Sequence, residues 1–452
     1  MKLRKNLSGE AQHRLISNVF GEIPDHRSRP NSVDIQIKDA LMSGFAVFAL
    51  KMPSLLQFDS LMRQVQYRSK LKAAFGIESA PSDTQMREIV DEVDPEMIRP
   101  AFKRILFELQ RGKGLEDYVF YKGHYLIAAD GTGHFSSDSV HCEDCLVKET
   151  KDGKVTYQHQ MLAASIVHPT QKIVLPLCPE PIKKQDGSTK NDCERNAGKR
   201  FLKKFREDHP KLKVVFVEDA LSANAPRIED LIEADVRFIL GAKPGSNKYL
   251  FEQVGRLDQE GRMNHFQSQE KIGQKIIKTV THKFRYLNGL RLNAANETRV
   301  NFLEYWETTE WTDKDGVAQK VEKHFSWITD LDIFLENLFI LMRGGRARWR
   351  IENETFNTLK NQGYNFEHNF GHGYKHLSTC FGLLMMLAFL VDQVQQLSCE
   401  LFQKALERVC TRRFLWENLR VLFDCCDFAS WSQLLEAIAF PKRWKMVPVN
   451  SS

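Results

Sequence analysis

Three acidic residues stand at points where the sequence changes character. Asp130 follows an apolar run in YLIAADGTG, Asp219 follows another in VVFVEDALSAN, and RARWRIENETFNTLK at 346–360 carries Glu352 and Glu354. An ionised carboxylate without a partner is costly away from water, and the ends of strands in open α/β sheets gather ligands, so acids there suggest a function. Asp also caps turns and helices, which explains Asp130 or Asp219 equally well when either is taken alone.

Helical periodicity separates the two candidates for a third acid. At ~100° per residue from Trp349, Glu352 lies about 60° away and Glu354 about 140° away. Phe356 and Leu359 share the face of Trp349, so we expect Trp349 in the core and Glu352 on the face that packs against a sheet. Glu354 stays open as the alternative acid. For residues 346–360 as a whole, the alternative is a solvent-exposed helix whose charged side chains form ion pairs.

Converging carboxylates indicate metal-dependent chemistry. Three of them repel one another unless cations neutralise them, and hard cations such as Mg²⁺ or Mn²⁺ prefer oxygen ligands. Two ions held ~3.5–4 Å apart can activate a water or a 3′-hydroxyl and stabilise the leaving oxygen in an attack on a phosphodiester. We therefore predict two Mg²⁺ or Mn²⁺ ions bound by the catalytic residues Asp130, Asp219 and Glu352.

A nucleic acid would be the natural substrate of such a site. Arginine side chains surround Trp349 and can form bidentate hydrogen bonds with phosphate, while a base can stack on the indole ring. The predicted DNA-binding residues are Arg346, Arg348, Arg350 and Lys360. The basic stretch 195–213 is explained equally well by a DNA-facing surface and by a solvated helix face.

The predicted elements that position these residues form an α/β layer. The pattern of residues 1–117 predicts a helical N-terminal domain, and we expect this domain to bind DNA. In 118–244, YLIAAD, QMLAASIVHP and KIVLPLCPEPI predict three successive strands. The basic helix KNDCERNAGKRFLKKFREDH, the strand LKVVFVED, a helix capped by Ser222 and the strand VRFILGAK follow. This alternation favours helices packed on a mixed sheet.

The rest of the chain divides into three regions. Residues 245–335 predict a β-rich insertion with a hairpin turn at Asn288 and Gly289. Residues 336–375 carry the helix with Glu352, and 376–452 are helical. In the last region CFGLLMMLAFLV predicts a buried helix, too short to cross a bilayer, which needs ~20 residues.

A CxxC pair gives a weaker metal signal. HCEDC places Cys142 and Cys145 ahead of His159, but without a second CxxC this is half of a zinc site. We expect buried thiols there, and structural zinc at Cys142, Cys145 and His159 is the less favoured alternative. The histidines of EHNFGHGYKH recur every four residues, but the glycines between them favour a loop near DNA over a metal site.

Composition narrows the class of protein. The chain has 452 residues, a formal net charge of +6 and 42% hydrophobic residues, which is typical of a globular protein of several domains. Nine irregularly spaced cysteines and no apolar segment behind the charged start predict a reducing compartment, the cytoplasm with its nucleoid, and no membrane partner. Neither a P-loop nor a Ser/His/Asp hydrolase motif is present in the sequence.

In the order of its strands and the places of its acids, the sequence resembles the DDE transposases of bacterial insertion sequences, which have an RNase H-like fold. The DGT at Asp130 is similar to the first acidic motif of the family. The segment RARWRIE is similar to the third, which in one large group runs Tyr, two residues, Arg, three residues, Glu, six residues, Lys. Arg348 and Glu352 fit this spacing, but Gly345 replaces the tyrosine and Lys360 is one residue late.

The resemblance implies metal-dependent cleavage at element ends and joining of the 3′-hydroxyl to target DNA. It also implies double-stranded DNA as partner and a homodimer on DNA, with the N-terminal domain reading the element ends. Two alternatives remain open: a non-enzymatic DNA-binding protein derived from a transposase, with HCEDC as a structural zinc site, and an RNase H-like nuclease without strand transfer.

Overall fold

A computed structural model describes residues 6–25, 27, 34–184 and 194–444. The α-helices within these ranges are α1 Gly9–Gly21, α2 Ile37–Ala49, α3 Leu55–Met62, α4 Val65–Phe75, α5 Asp83–Asp91, α6 Arg99–Arg111, α7 Glu194–Asp208, α8 Ala225–Glu233, α9 Lys248–Gln259, α10 Leu338–Arg346, α11 Asn357–Asn361, α12 Leu377–Ser398, α13 Glu400–Val409, α14 Arg412–Cys425 and α15 Trp431–Ala439. The strands are β1 Val119–Tyr121, β2 His124–Ser137, β3 Leu146–Glu149, β4 Val155–Val167, β5 Leu175–Pro176, β6 Glu180–Ile182, β7 Val214–Glu218, β8 Arg237–Gly241, β9 Asn264–Ile272, β10 Lys278–Arg291, β11 Arg299–Thr312 and β12 Ala318–Thr329.

The strands form one mixed sheet in the order β3-β4-β2-β7-β8-β12-β11-β10-β9, with β1 on β2 and with β5 and β6 on β4. The β2–β7 and β7–β8 pairs are parallel, whereas β2 and β4 are antiparallel. The predicted mixed α/β sheet with flanking helices is therefore confirmed. All five residues of β7, VVFVE, are buried, which is typical of a parallel strand covered on both faces.

The region 245–335 extends this sheet, because β12 pairs with β8. It begins with α9, a helix that the strand pattern did not predict. The predicted hairpin turn at Asn288 and Gly289 is wrong. Both residues lie inside β10, where the register shifts between Leu287 and Leu290 and Gly289 has φ +77°. A positive φ at glycine here forms a β-bulge rather than a turn.

The helix after β7 begins later than predicted. Asn224, not Ser222, is the N-cap of α8, and its side chain accepts a hydrogen bond from the Arg227 amide at 3.1 Å. The predicted basic helix is α7, which is described from Glu194 onward. Its residues 190–193 lie outside the described part of the chain.

The helices from the two ends of the chain pack against each other. A Cβ at Gly44 of α2 would lie 2.9 Å from Leu384 Cδ1 of α12, so glycine permits this close approach. Lys51, just after α2, donates to Asp392 of α12 at 2.5 Å, with both side chains buried. The predicted N-terminal and C-terminal helical regions therefore share one core.

The helix α12 is the centre of that core. It is long and apolar enough to cross a membrane by length and composition, but 94% of its most apolar window is buried inside the protein. The predicted buried helix is confirmed, and it is longer than the quoted apolar run, since it extends from Leu377 to Ser398.

Candidate active site and Cys/His cluster

Two of the predicted acids lie at the same edge of the parallel strands. The pairing of β2 with β7 ends at Ala128 and Val217. Asp130 comes two residues later on β2, and Asp219 directly follows β7. The sequence predicted that the strand YLIAAD ends at Asp130, and this is wrong. Strand β2 continues to Ser137, paired with its antiparallel neighbour β4.

Both aspartates also bond to neighbouring amides. Asp130 Oδ1 accepts from Gly131 N, and Asp219 Oδ1 accepts from Leu221 N, each at 2.9 Å. The turn-stabilising role that the sequence left open is thus present for Asp219. In each case, this bond leaves the other carboxylate oxygen available to a further partner.

Asp130 and Asp219 line one cavity of about 480 Å³, with Glu194 of α7 at its wall. Burial raises the pKa of Asp130, and the charge of Arg348 opposes this rise. Loss of hydration, followed by the charges of Asp130 and Asp219, raises the pKa of Glu194. Glu194 could not be predicted from the sequence, because nothing in a basic helix marks its first acid as facing a cavity.

Glu352 reaches the same site through Arg348. Arg348 Nη1 lies 2.7 Å from Glu352 Oε1 and 3.2 Å from Asp130 Oδ2. Both carboxylates touch one nitrogen, so their oxygens lie within about 6 Å of each other, a distance at which charges influence each other's protonation. Asp219 and Arg348 line a further cavity together. The guanidinium thus supplies positive charge among the acids.

The segment that carries Glu352 is not a regular α-helix. Ile351–Phe356 forms a π-helical turn between α10 and α11, and such turns are frequent at functional sites. The prediction that Trp349 lies in the core is wrong, because the residue is 59% exposed. Ile351 and Leu359 are fully buried instead. The wider turn changes which residues share a face, so the regular-helix angles do not apply.

Glu354 pairs with a different arginine. Its Oε1 lies 3.3 Å from Arg350 Nη1, and Arg350 Nη2 donates to the carbonyl of Pro169 at 2.8 Å. Of the two candidate glutamates, Glu352 is the one that shares a partner with Asp130. The Thr355 hydroxyl lies 3.2 Å from that of Ser165 on β4, which holds this turn on the sheet.

The other predicted DNA-binding residues have partners within the protein. Arg346 pairs with Glu307 at 2.8 Å, and Lys360 pairs with Glu367 at 2.7 Å. In α7, Lys204 pairs with Glu180 at 2.8 Å. These contacts indicate that much of the basic charge of α7 is engaged in packing, while Arg346 and Lys360 remain partly exposed.

Gly345 lies where α10 packs closely on the sheet. A Cβ at Gly345 would lie 2.4 Å from the indole nitrogen of Trp327 on β12. A tyrosine there would require Trp327 to move. The close packing of α10 on this part of the sheet therefore favours glycine at this position.

A second cluster forms beside the extended β2–β4 pair. Cys142 and Cys145 lie between β2 and β3, His159 is on β4, and His372 is in the loop before α12. The sulfurs are 3.8 Å apart, and His159 Nε2 is 3.4 Å from each. His372 Nε2 is 3.2 Å from Cys145 Sγ and 3.1 Å from His159 Nε2.

The structure therefore adds a fourth residue to the half site recognised in the sequence. The loop prediction for the segment around His372 holds, with Gly371 and Gly373 at positive φ, but this loop brings His372 to the cysteines. The four donor atoms lie within 4.8 Å of one another. Such a donor set could hold a metal ion.

Searches against protein-family models and against curated protein sequences gave no match for this chain.

Proposed function

We propose that this protein is a DDE-type DNA transposase, which cleaves phosphodiesters at the ends of an insertion sequence and joins the freed 3′-hydroxyl to target DNA. The observation that carries the proposal is the contact of Arg348 with both Asp130 and Glu352, next to a cavity that Asp130 shares with Asp219. Residues more than 200 positions apart in the sequence thus meet at one edge of the sheet.

The strand order supports the RNase H-like part of the proposal. Strand β4 is antiparallel to β2, and the short strands β5 and β6 are antiparallel to β4. The next two strands along the chain, β7 and β8, run parallel to β2. The first acid is on β2 and the second directly follows β7, the neighbouring parallel strand. Ligand sites in open α/β sheets form at such strand ends.

The acidic residues fit divalent cations by their chemistry. Carboxylate oxygens are the donors that Mg²⁺ and Mn²⁺ prefer, and Asp130, Asp219 and Glu352 would hold two ions. The ions would polarise the scissile phosphate and lower the pKa of the attacking hydroxyl. Arg348 supplies positive charge at the acids and, once displaced from them, can donate to a phosphate oxygen.

The surface beside the acids has groups suited to DNA. Trp349 is exposed, and its neighbours Arg346 and Arg350 line the same cavity. An exposed indole can stack on an unpaired base, and a guanidinium group can donate two parallel hydrogen bonds to one phosphate. These features favour a nucleic acid over a small phosphoester as substrate.

The test uses a supercoiled plasmid that carries the DNA flanking this gene on both sides. In Mg²⁺ or Mn²⁺ the wild type should nick at the ends of the element and form joined products. Glu352→Gln should reduce nicking by at least about 100-fold, the scale for loss of a group that stabilises a transition state. The matched control Glu354→Gln should stay within about threefold, because it removes only an ion pair at the surface.

The outcomes separate the candidate functions. Equal nicking by both glutamine variants would refute the assignment of Glu352. Nicking without joined products would favour a nuclease, and DNA binding with no metal-dependent nicking would favour a non-enzymatic protein.

A further inference from the structure

The Cys142, Cys145, His159 and His372 donors have the dimensions of a tetrahedral zinc site. With Zn–S near 2.3 Å and Zn–N near 2.0–2.1 Å, a regular tetrahedron has edges of about 3.8 Å between sulfurs, about 3.6 Å between sulfur and nitrogen and about 3.3 Å between nitrogens. The corresponding distances are 3.8 Å, 3.2–3.4 Å and 3.1 Å. Five of the six edges are thus within a few tenths of an ångström of the ideal, and the sixth, between Cys142 and His372, is at most 4.8 Å.

Other uses of these side chains fit less well. A disulfide between Cys142 and Cys145 would need sulfurs about 2.05 Å apart, whereas they are 3.8 Å apart. In a two-iron cluster the cysteines would bind one iron and the histidines the other. The cluster would then lie between the two sulfurs and the two nitrogens and keep them apart. Here each measured sulfur–nitrogen distance is at most 3.4 Å. A single ion is the size that fits.

The surroundings orient the ligands for a metal. His372 Nδ1 lies 2.8 Å from the carbonyl of Gly373, so it donates there and leaves Nε2 unprotonated toward the cluster, as metal-binding histidines require. The amide of Cys142 donates to Cys145 Sγ at 3.4 Å. The ring of Phe135 packs 4.6 Å from that of His372 and shields it. Cys145, His159 and His372 are buried.

The loop with His372 is held in place by protein contacts as well. One carboxylate, that of Asp91 at the end of α5, accepts backbone N–H groups from Tyr374, Lys375, His376 and Leu377. A Cβ at Gly373 would lie 2.2 Å from Asp91 Oδ1, so glycine is required for this approach. The loop that carries His372 is thus anchored to α5 of the N-terminal region.

We infer that Cys142, Cys145, His159 and His372 bind one zinc ion with a structural role. Four protein ligands fill a tetrahedral shell and leave no position for water or substrate, which distinguishes structural from catalytic zinc. The ion joins the β2–β3 connection and β4 to the loop that follows the Glu352 segment. It holds together parts of the chain that are 227 residues apart, Cys145 and His372. The site stands whether or not the protein is a transposase.

The first test is the metal content of the full-length protein, purified after expression with added zinc and dialysed against a weak chelator. We expect one zinc per chain. Titration of the cysteines with an organomercurial should release that zinc in proportion to the modified thiols. The Co²⁺-loaded protein should show the visible absorption of a tetrahedral thiolate site. These measurements need no variant, so a folding defect cannot obscure them.

Variants assign the ligands. Cys142→Ser and His372→Ala should lower the zinc content to near zero, whereas His372→Cys should retain it, because thiolate replaces imidazole as a ligand. Cys410→Ser and His368→Gln change exposed residues of the same types and should keep one zinc. A folded wild type with no zinc and no Co²⁺ spectrum would overturn the inference, as would bound iron in its place or unchanged zinc in the soluble His372→Ala protein.

Discussion

Arg348 allows a quantitative test of the acidic site. Its guanidinium contacts Asp130 and Glu352, at 3.2 and 2.7 Å, and therefore occupies the side of the carboxylates that a divalent cation would need. Arg348→Ala removes a competitor for these oxygens and a positive charge that repels the ion. Both effects act in the same direction, so the variant should bind Mn²⁺ more tightly than the wild type while it cleaves DNA more slowly.

The size of the effect follows from the exposure of the groups. Hydrogen bonds to charged groups are worth about 1.5–3 kcal/mol when shielded from water. The Glu352 side chain is 44% exposed, so solvent screening reduces its share to that of a surface pair, well under about 1 kcal/mol. The Arg348–Asp130 contact, at 3.2 Å, lies at the low end of that range. With the small share of Glu352 the sum is about 1.5–2 kcal/mol, which corresponds to roughly 10- to 30-fold tighter binding of Mn²⁺.

Calorimetric titration of Mn²⁺ in the absence of DNA measures this change directly. Arg350→Ala is the matched control, because Arg350 is two residues away and contacts Glu354 and Pro169 instead. Its Mn²⁺ affinity should equal that of the wild type. Unchanged or weaker binding by Arg348→Ala would refute the idea that the ion and the guanidinium share the same oxygens.

Three other perturbations have defined outcomes. Lys51→Met leaves Asp392 buried without its cation and should lower the free energy of unfolding by about 3–5 kcal/mol, with most of the loss recovered by also changing Asp392→Leu; urea denaturation of the wild type, the single variant and the double variant checks this. Burial raises the pKa of Asp130, so its proton competes with metal and Mn²⁺ affinity should increase as pH rises through that raised pKa, whereas the Asp130→Asn variant should lack this dependence. Trp349→Ala should weaken binding of DNA with unpaired bases by about 1–3 kcal/mol in fluorescence anisotropy, if the exposed indole stacks on a base, and should leave stability unchanged.

The sequence predicted those parts of the fold that depend on local patterns. Apolar, β-branched runs identified β4, β7 and β8, because such side chains fit a buried strand wherever the sheet places it. The pairing of β12 with β8 could not be predicted, since antiparallel pairing across 90 residues leaves no local mark. The turn signal of Asn288 and Gly289 was correct about a positive φ but not about its use, because a bulge needs the same conformation.

The candidate site shows the same division between local and distant information. Asp219 was predicted correctly to follow its strand, because the strand is short and its end is marked by sequence. Glu194 and His372 were missed as members of their clusters, since each depends on a contact with residues that are distant along the chain. His372 had a local signal, the glycines of its loop, but that signal indicates backbone shape and gives no indication of the cysteines.

The π turn changes which later residue returns to the face of Glu352. In a regular α-helix, a residue seven positions after Glu352 returns to about the same face, since 7 × 100° is close to two turns. A π turn forms i→i+5 hydrogen bonds and so holds one more residue than an α turn. With Ile351–Phe356 in this conformation, the position that returns to the face of Glu352 moves to about the eighth residue, which is Lys360. The spacing from Glu352 to Lys360 therefore suits this π turn, whereas a lysine seven positions after Glu352 would need a regular α-helix to share its face.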